Sequence, residues 1–387
     1  MDIRTTAFSP ATSHCDPAPV AVAIELSKKS WLVAVLTPLC DKISLYPLPA
    51  GNGAALLELL ARLRRQVATA LKRPVAIVSC YEAGYDGFWL HRLLEAEGVR
   101  SHVFDPASVE VNRRARRAKT DRIDARALLR ALLAHLRGEP KVVSVVRVPS
   151  VAEEDARRLH RERHRLVGER VRHVNRIKGL LACQGVYDYE PLKRDRHARL
   201  AGLVTGDGRA LAPRLVAEIA REIRRLELVL EMIAAIEAER DAIAAAKATG
   251  HPEAAKIQTL ARLKAVGGEI ATVLTGEVFY RRFDNRRQLG AYVGLDASPF
   301  RSGGLSRDQG IAKAGNAKAR TTMIELAWLW LRHQPDSALS LWFRERVGPL
   351  KGRPRRIAIV ALARKLLVAL WRYVEIGLVP EGAVLKA

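Results

Sequence analysis

Residues 21–26 read Ala-Val-Ala-Ile-Glu-Leu, residues 31–36 read Trp-Leu-Val-Ala-Val-Leu, and Ser27-Lys28-Lys29-Ser30 stands between them. Two short apolar runs joined by a polar turn predict a pair of buried strands. One residue breaks the pattern. An ionised carboxylate inside an apolar strand is expensive unless a cation or a polar partner offsets its desolvation, so Glu25 is a candidate functional group as well as a strand residue.

Working outward, a third strand is expected near 43–48, and Ala54–Leu71 has helical spacing that stops before Pro74. Proline disfavours helix in the residue preceding it. Val75–Ser79 is another short apolar strand, followed by a loop containing Gly84 and Gly87, a helix over 88–97, and a strand over Val99–Phe104 that ends at Asp105-Pro106. A meander of three strands followed by helix–strand–helix–strand predicts an α/β domain on a mixed sheet. The stretch before it, residues 1–20, is rich in Pro, Ser and Thr and is expected to be a loose N-terminal arm.

Beyond residue 150 the pattern changes to helix. Val216, Ile219, Ile223, Leu226, Leu230 and Ile233 recur at alternating spacings of three and four, which suits one amphipathic helix on a helical core or an antiparallel or intermolecular helical arm. Residues 255–387 are largely helical, with glycine-rich loops at 267–268, 303–304 and 310–315. The expected organisation is therefore α/β plus all-α: an arm (1–20), a mixed-sheet domain (21–150), a basic helical or coiled-coil segment (151–250), and a mainly helical C-terminal domain (255–387).

Composition narrows the partners. The 387 residues include 65 Lys+Arg against 41 Asp+Glu, a net charge of +24, and 49% are hydrophobic. That apolar content supports real cores and argues against general disorder. The apolar stretch near 357–371 carries Arg364 and Lys365, so it reads as a core helix, and no membrane partner is expected. A positive surplus of this size points to a polyanion, most simply nucleic acid. Cys15, Cys40, Cys80 and Cys183 lie far apart with no zinc spacing, and no secretory signal opens the chain. A reducing cytoplasm is the expectation.

Four carboxylates stand out in the first domain. Glu25 lies in the first strand, Glu82 directly follows the strand at 75–79, and Asp121 and Asp124 follow Lys119-Thr120. Thr120 suits the N-cap of a helix running through Leu128, and an i, i+3 spacing puts both aspartates on one face of its first turn. Aspartate in a first turn is also favoured by the helix dipole alone. Brought together, the four form a hard-oxygen site suited to Mg²⁺, and two such ions can activate a nucleophile and stabilise the leaving oxygen in phosphodiester cleavage.

Tyr81-Glu82-Ala83-Gly84, the strand ending in Asp105-Pro106, and above all Lys119-Thr120-Asp121-Arg122-Ile123-Asp124-Ala125 resemble the DEDD transposases, the insertion-sequence recombinases related to pilin-gene invertases. The resemblance implies an RNase-H-like (RuvC-like) N-terminal domain whose four acidic ligands, Glu25, Glu82, Asp121 and Asp124, hold Mg²⁺, with two ions expected. The first position holds Glu25 where the family has Asp.

The resemblance continues in the C-terminal part. Leu263-Lys-Ala-Val-Gly-Gly268 is similar to the family's helix-hairpin-helix turn, with Ala265 where the pattern usually begins its turn with Gly. Gln288–Leu295 leads into Ser298-Pro-Phe-Arg-Ser302-Gly-Gly304, and Lys313-Ala-Gly-Asn316 closes the segment. The resemblance implies a serine nucleophile that bonds covalently to DNA. Ser302 is the matching position and Ser298 the fallback. A serine before two glycines lies on backbone that a phosphate can approach closely, and Arg301, Arg307, Lys313 and Arg320 are candidates to neutralise phosphoryl oxygens. A composite site, with the acids of one subunit beside the serine of another, would require a homodimer or homotetramer.

Much of the positive charge falls in two stretches. Residues 113–130 carry eight Arg/Lys against two aspartates, among them Arg113, Arg114, Arg116, Arg117 and Lys119. Residues 157–178 carry nine Arg/Lys against Glu162 and Glu169. Within the second, Arg158, Arg161, Arg165, Arg172 and Arg176 fall close to helical spacing, with Lys178 beyond, as a helix laid along a phosphate backbone would place them. No sequence-reading DNA-binding module is apparent. That fits the resemblance, which implies DNA ends and target as substrates and, in some members, a structured guide RNA. The leading expectation is an RNA-guided DNA recombinase. Its competitors are a metal-dependent nuclease or junction resolvase without serine chemistry, and a catalytically decayed nucleic-acid-binding protein.

Overall fold

In the computed structural model the described residues are 19–109, 120–140, 142–245, 253–302 and 305–386, with the backbone alone at 300–302 and 305–309. The arm expected over 1–20 falls almost wholly outside them. By internal contacts the chain divides into two compact units, Met1–Val148 and Pro149–Ala387.

The first unit is built on five strands: β1 (Val20–Leu26), β2 (Ser30–Thr37), β3 (Cys40–Pro49), β4 (Ile77–Glu82) and β5 (Arg100–Phe104). They form one sheet in the order β3-β2-β1-β4-β5. β1, β2 and β3 pair antiparallel as a meander, while β1–β4 and β4–β5 pair parallel. The helices are α1 (Gly53–Leu71), α2 (Trp89–Ala96) and α3 (Asp121–Leu136). The mixed sheet read from the sequence is present and is compatible with an RNase-H-like fold.

Side-chain alternation gives the sheet two different faces. Val20, Val22, Ile24, Ile77 and Tyr81 join Leu56, Leu60, Leu90 and Leu94 of α1 and α2 in one core. Ala21, Ala23, Ala34, Val78 and Cys80 face α3 through its Ala125, Leu128, Leu129 and Leu132. The alanines leave room for α3 to lie close to the strands, and the Cys80 thiol donates to the Leu128 carbonyl at 3.7 Å. Because strand side chains alternate with a period of two, Glu25 and Glu82 belong to this α3 face.

The second unit contains α4 (Val151–Asp155), α5 (Arg158–Ala182), α6 (Arg196–Ala201), α7 (Pro213–Ala245), α8 (Ala254–Ala261), α9 (Gly268–Leu274), α10 (Arg286–Val293), α11 (Ala317–His333), α12 (Ala338–Val347) and α13 (Arg353–Ile376), plus a π-helical turn at Thr275–Phe279. α7 buries Ile219, Ile223, Leu226, Val229, Ile233 and Ile236. Its pairings with α5, Arg176 to Glu218, His173 to Glu222 and Arg163 to Glu237, make the two helices antiparallel. No helix of the described residues is long and apolar enough to cross a membrane, and α13, which includes the apolar stretch at 357–371, buries Ile359, Leu362, Leu366, Leu367 and Leu370 in the C-terminal core.

The sequence reading has loops at 303–304 and 310–315. The first lies outside the described residues, between β6 (Ala297–Ser302) and β7 (Leu305–Ile311), which pair antiparallel, and only residues 310–311 of the second fall in a strand. A Gly-Gly dipeptide between two short runs is itself a hairpin signal, although both runs are polar in composition.

The turn between α8 and α9 contains Ala265 at φ +81°. An L-residue in the left-handed region is strained by roughly 1–2 kcal/mol, a strain glycine does not have. Ala265→Gly is therefore expected to stabilise the protein by up to about 1 kcal/mol once the greater freedom of glycine in the unfolded chain is deducted. A urea titration checks this, and a lower midpoint in the variant would contradict it.

Candidate active site

β1 and β4 run parallel in register, Ile24 opposite Tyr81, so Glu25 and Glu82 occupy the next pair along at the same ends of neighbouring strands. Both are half-buried. They line one cavity of about 210 Å³ together with Leu26, Ser27, Lys28, Ala83, Gly84, Tyr85 and Asp86. Lys28 places its ammonium 4.8 Å from the centroid of the Tyr85 ring. The negative charge at this strand end is felt by its neighbour: the buried Cys80 thiol is pushed well above its ordinary value, by burial first and by the charge of Glu82 second.

α3 begins at Asp121, and its N-cap is Thr120, whose hydroxyl accepts from Ile123 N at 3.4 Å. Both aspartates fall in its first turn, as their spacing predicts. Asp121 lines a second hollow with Thr120, Arg122 and Leu32, and Leu32 is the strand partner of Glu25. The fold thus brings Glu25 and Glu82 to one cavity and sets Asp121 and Asp124 on the helix that covers the same sheet face. It does not gather all four: among the described residues, no three His, Cys, Asp or Glu side chains approach closely enough to hold a metal ion. The donor chemistry fits a divalent cation, since every candidate ligand is a carboxylate oxygen. Arg113, Arg114, Arg116, Arg117 and Lys119 lie outside the described residues.

In the second unit, Ser302 is the last residue of β6 and the half-buried Ser298 lies four residues earlier in the same strand. The side chains of Arg301, Ser302 and Arg307 are not described. Lys313 is exposed at φ +58°. Arg320, a candidate phosphate ligand by sequence, uses Nη1 to donate to the carbonyls of Val293 and Ala314 at 3.1 and 3.2 Å. That nitrogen clamps two backbone segments together. Gly294 and Gly315 pack there with positive φ, and a Cβ on either would run into the carbonyl oxygen of the other segment, Ala314 or Tyr292.

The predicted phosphate-binding residues of α5 are exposed, Lys178 only partly, and each of them has an acid. Arg158 meets Asp155 at 3.1 Å, Arg161 meets Glu277 at 2.7 Å, and Arg176 meets Glu218 at 2.7 Å. Arg165 and Arg172 lie 3.6 and 3.7 Å from Glu162 and Glu169, and Lys178 lies 2.5 Å from Glu190. The sequence reading set only Glu162 and Glu169 against this helix; the fold adds Asp155, Glu190, Glu218 and Glu277. Apart from Arg161, whose partner Glu277 is buried, these are exposed pairs worth roughly 0–1 kcal/mol, so a phosphate can displace the acid.

One residue absent from the sequence reading stands out in the structure. Glu277 sits in the middle of the π-helical turn with 1% exposure. Its carboxylate takes hydrogen bonds from Arg161 Nε and Nη2 at 2.7 and 3.0 Å and from Asn316 Nδ2 at 2.8 Å, and His160 Nε2 lies 2.9 Å away. Burial alone would raise its pKa, but the bonds to His160, Arg161 and Asn316 outweigh that and hold it far below the ordinary carboxylate value. Asn316 also caps α11, accepting from Ala319 N at 3.0 Å. Glu277 thereby fixes the far end of the loop that carries Lys313. π-Turns concentrate at functional sites.

A mixed sheet bearing strand-end acids, followed by a helical unit with a basic helix, is compatible with a nucleic-acid-processing protein of the RNase-H-like class. Residues 22–183 match the family model of DEDD transposases of the IS110 type, described as a transposase, and residues 257–341 match the model of the transposase IS116/IS110/IS902 family. A putative transposase, y4rJ of Sinorhizobium fredii, is 51% identical over 98% of this chain and 97% of its own. A probable family 20 transposase of Pseudomonas aeruginosa is 29% identical over 80% of this chain and 88% of its own. The transposase of insertion sequence IS1111A from Coxiella burnetii is 26% identical over 79% of each. The chain belongs to the IS116/IS110/IS902 family of transposases. It is therefore an enzyme of DNA transposition, and its class generally uses divalent metal ions.

Proposed function

We propose that this transposase cuts and rejoins DNA through two reactive groups: Mg²⁺ held by Glu25, Glu82, Asp121 and Asp124, and the hydroxyl of Ser302. The observation that carries the first is the pairing of Glu25 and Glu82 on adjacent parallel strands around one cavity, with Asp121 and Asp124 on the helix over the same face. A bound divalent ion supplies Lewis acidity at a phosphoryl oxygen. The chain's own part is to present the carboxylates, with Lys28 at the rim of the same cavity.

The second rests on family resemblance and on placement. Ser302 ends a strand beside Gly303-Gly304, and the strand that follows leads to the loop anchored by Asn316 and Glu277. In the step assigned to it, Ser302 Oγ bonds to phosphorus as one P–O bond of the scissile phosphodiester breaks. The serine proton is released and the departing sugar oxygen takes one up. Attack by that oxygen, or by its counterpart on another strand, reverses the step and rejoins DNA. Arg301, Arg307 and Lys313 would hold the phosphoryl oxygens. Assembly as a homodimer or homotetramer, and choice of site by a structured guide RNA, complete the reading; the latter accords with a chain in which no sequence-reading module is apparent.

The test is to incubate the protein with its element DNA and Mg²⁺ and look for a protease-sensitive protein–DNA adduct. Ser302→Ala is expected to abolish the adduct and strand transfer while DNA binding persists. Normal cleavage by Ser302→Ala with no adduct in the wild type would replace the proposal with a metal-only nuclease. An adduct that survives in Ser302→Ala and disappears in Ser298→Ala would move the nucleophile to Ser298.

A further inference from the structure

The acids that answer the basic face of α5 leave the question of where uncompensated charge lies. Between Glu345 and Glu375 the sequence carries eight Lys/Arg and no Asp or Glu. Arg364 among them is taken up by Asp296 at 2.7 Å. Half of the eight, Lys351, Arg353, Arg355 and Arg356, fall within six residues at the start of α13, all exposed, and none is within ion-pair distance of a described carboxylate. Repulsion among them is relieved only by solvent or by an anion.

An aromatic ring adjoins the cluster. Trp328 of α11 is 41% exposed, although its neighbour two residues on, Trp330, is wholly buried. The Arg355 guanidinium lies 5.3 Å from the Trp328 ring centroid, within cation–π range. Arg332 is one turn further along the outward stripe of α11, and Glu325, one turn before Trp328, is the acid on that stripe. An exposed ring is ordinary by itself; what marks this one is its place beside a cluster of cations without described carboxylate partners. Cations that track phosphates beside an exposed ring on which a base can stack are what unpaired nucleotides require.

We infer that the surface formed by Trp328, Arg332, Lys351, Arg353, Arg355 and Arg356 binds a single-stranded segment of nucleic acid, one base stacking on Trp328 while the cations hold the flanking phosphates. The segment has two possible sources with the same chemistry, an unpaired stretch of RNA or a displaced DNA strand. The inference is independent of the metal and serine assignments, because no residue of this surface belongs to either.

The experiment measures fluorescence anisotropy of labelled oligo-dT, oligo-U and a duplex of equal length with the full chain. Trp328→Ala is expected to weaken single-strand binding on the order of tenfold, and Trp328→Phe to retain most of it. The triple variant Arg353→Ala, Arg355→Ala, Arg356→Ala is expected to reduce the slope of log affinity against log salt for single strands by about two. Circular dichroism of each variant guards against loss of fold, and Trp328→Phe carries the test if Trp328→Ala does not fold. Stronger binding of oligo-U identifies the source as RNA, and of oligo-dT as DNA. Wild-type single-strand affinity in Trp328→Ala, or equal losses on duplex and single strand, would overturn the inference.

Discussion

Glu82→Gln is expected to lower Mg²⁺-dependent DNA cleavage by about 10³-fold, since a metal's charge stabilisation of the transition state is worth several kcal/mol. The change is isosteric at a half-buried strand end, so thermal stability should move by no more than about 0.5 kcal/mol. DNA affinity, which rests on the Lys/Arg surplus, should be unchanged. Glu25→Gln should match it, because the two residues line one cavity from adjacent strands. Glu25→Asp is the informative companion: if the longer Glu side chain serves as a ligand, shortening it restores the family's residue and keeps or raises activity. A cleavage rate in Glu82→Gln equal to wild type would remove the strand-end acids from the chemistry. A wild-type protein that binds DNA but never cleaves, and is switched on by Glu25→Asp, would show a decayed site.

The two acids could be read from sequence for a physical reason. Glu25 is flanked by Ala21-Val-Ala-Ile24 and followed by Leu26, and a charge in such a run is conspicuous because burial makes it expensive. Strand and helix positions in the first unit were legible for a related reason: β1, β2 and β4 are apolar runs bounded by turn residues, and Thr120 announces α3 by the chemistry of its hydroxyl. The coming together of distant segments was less legible. α5 reads as a bare cationic face because the carboxylates that meet it at Glu218 and Glu277 lie 42 and 116 residues further along the chain. Local spacing carries no information about such partners. The hairpin β6–β7 was missed because its runs contain charged residues where an apolar alternation would have marked strands.

Glu277 falls between these cases. It lies in Val273-Leu-Thr-Gly-Glu-Val-Phe279, an apolar setting of the kind that drew attention to Glu25, so the same desolvation argument would have found it. In a helical context a single Glu is ordinarily placed on the solvent face. The π-turn centred on it defeats that expectation, and all five residues of the turn are buried.

Glu277→Ala is expected to destabilise the second unit by about 3–5 kcal/mol, the range for removing one partner of a buried charge pair. The loss would leave His160, whose side chain is wholly buried, without its carboxylate, and Asn316 without the acceptor that orients it. Arg161 is 58% exposed and can turn to solvent, so the penalty comes chiefly from His160 and Asn316. Glu277→Gln separates charge from shape, and its signature is a pH dependence. The folded pKa of Glu277 is depressed below the ordinary carboxylate value of about 4.5. A depressed pKa means the unfolded chain binds the proton more readily, so the stabilisation is fully present above about pH 4.5 and is lost as pH falls below it toward the folded value. The stability gap between wild type and Glu277→Gln should therefore be constant at neutral pH and narrow progressively on acidification below pH 4.5. Urea midpoints for both proteins across that range measure it, and parallel curves would mean the buried network draws nothing from the carboxylate's charge. If Glu277 also holds the Lys313–Asn316 loop in place, Glu277→Gln should reduce strand transfer at neutral pH under conditions where the variant remains folded.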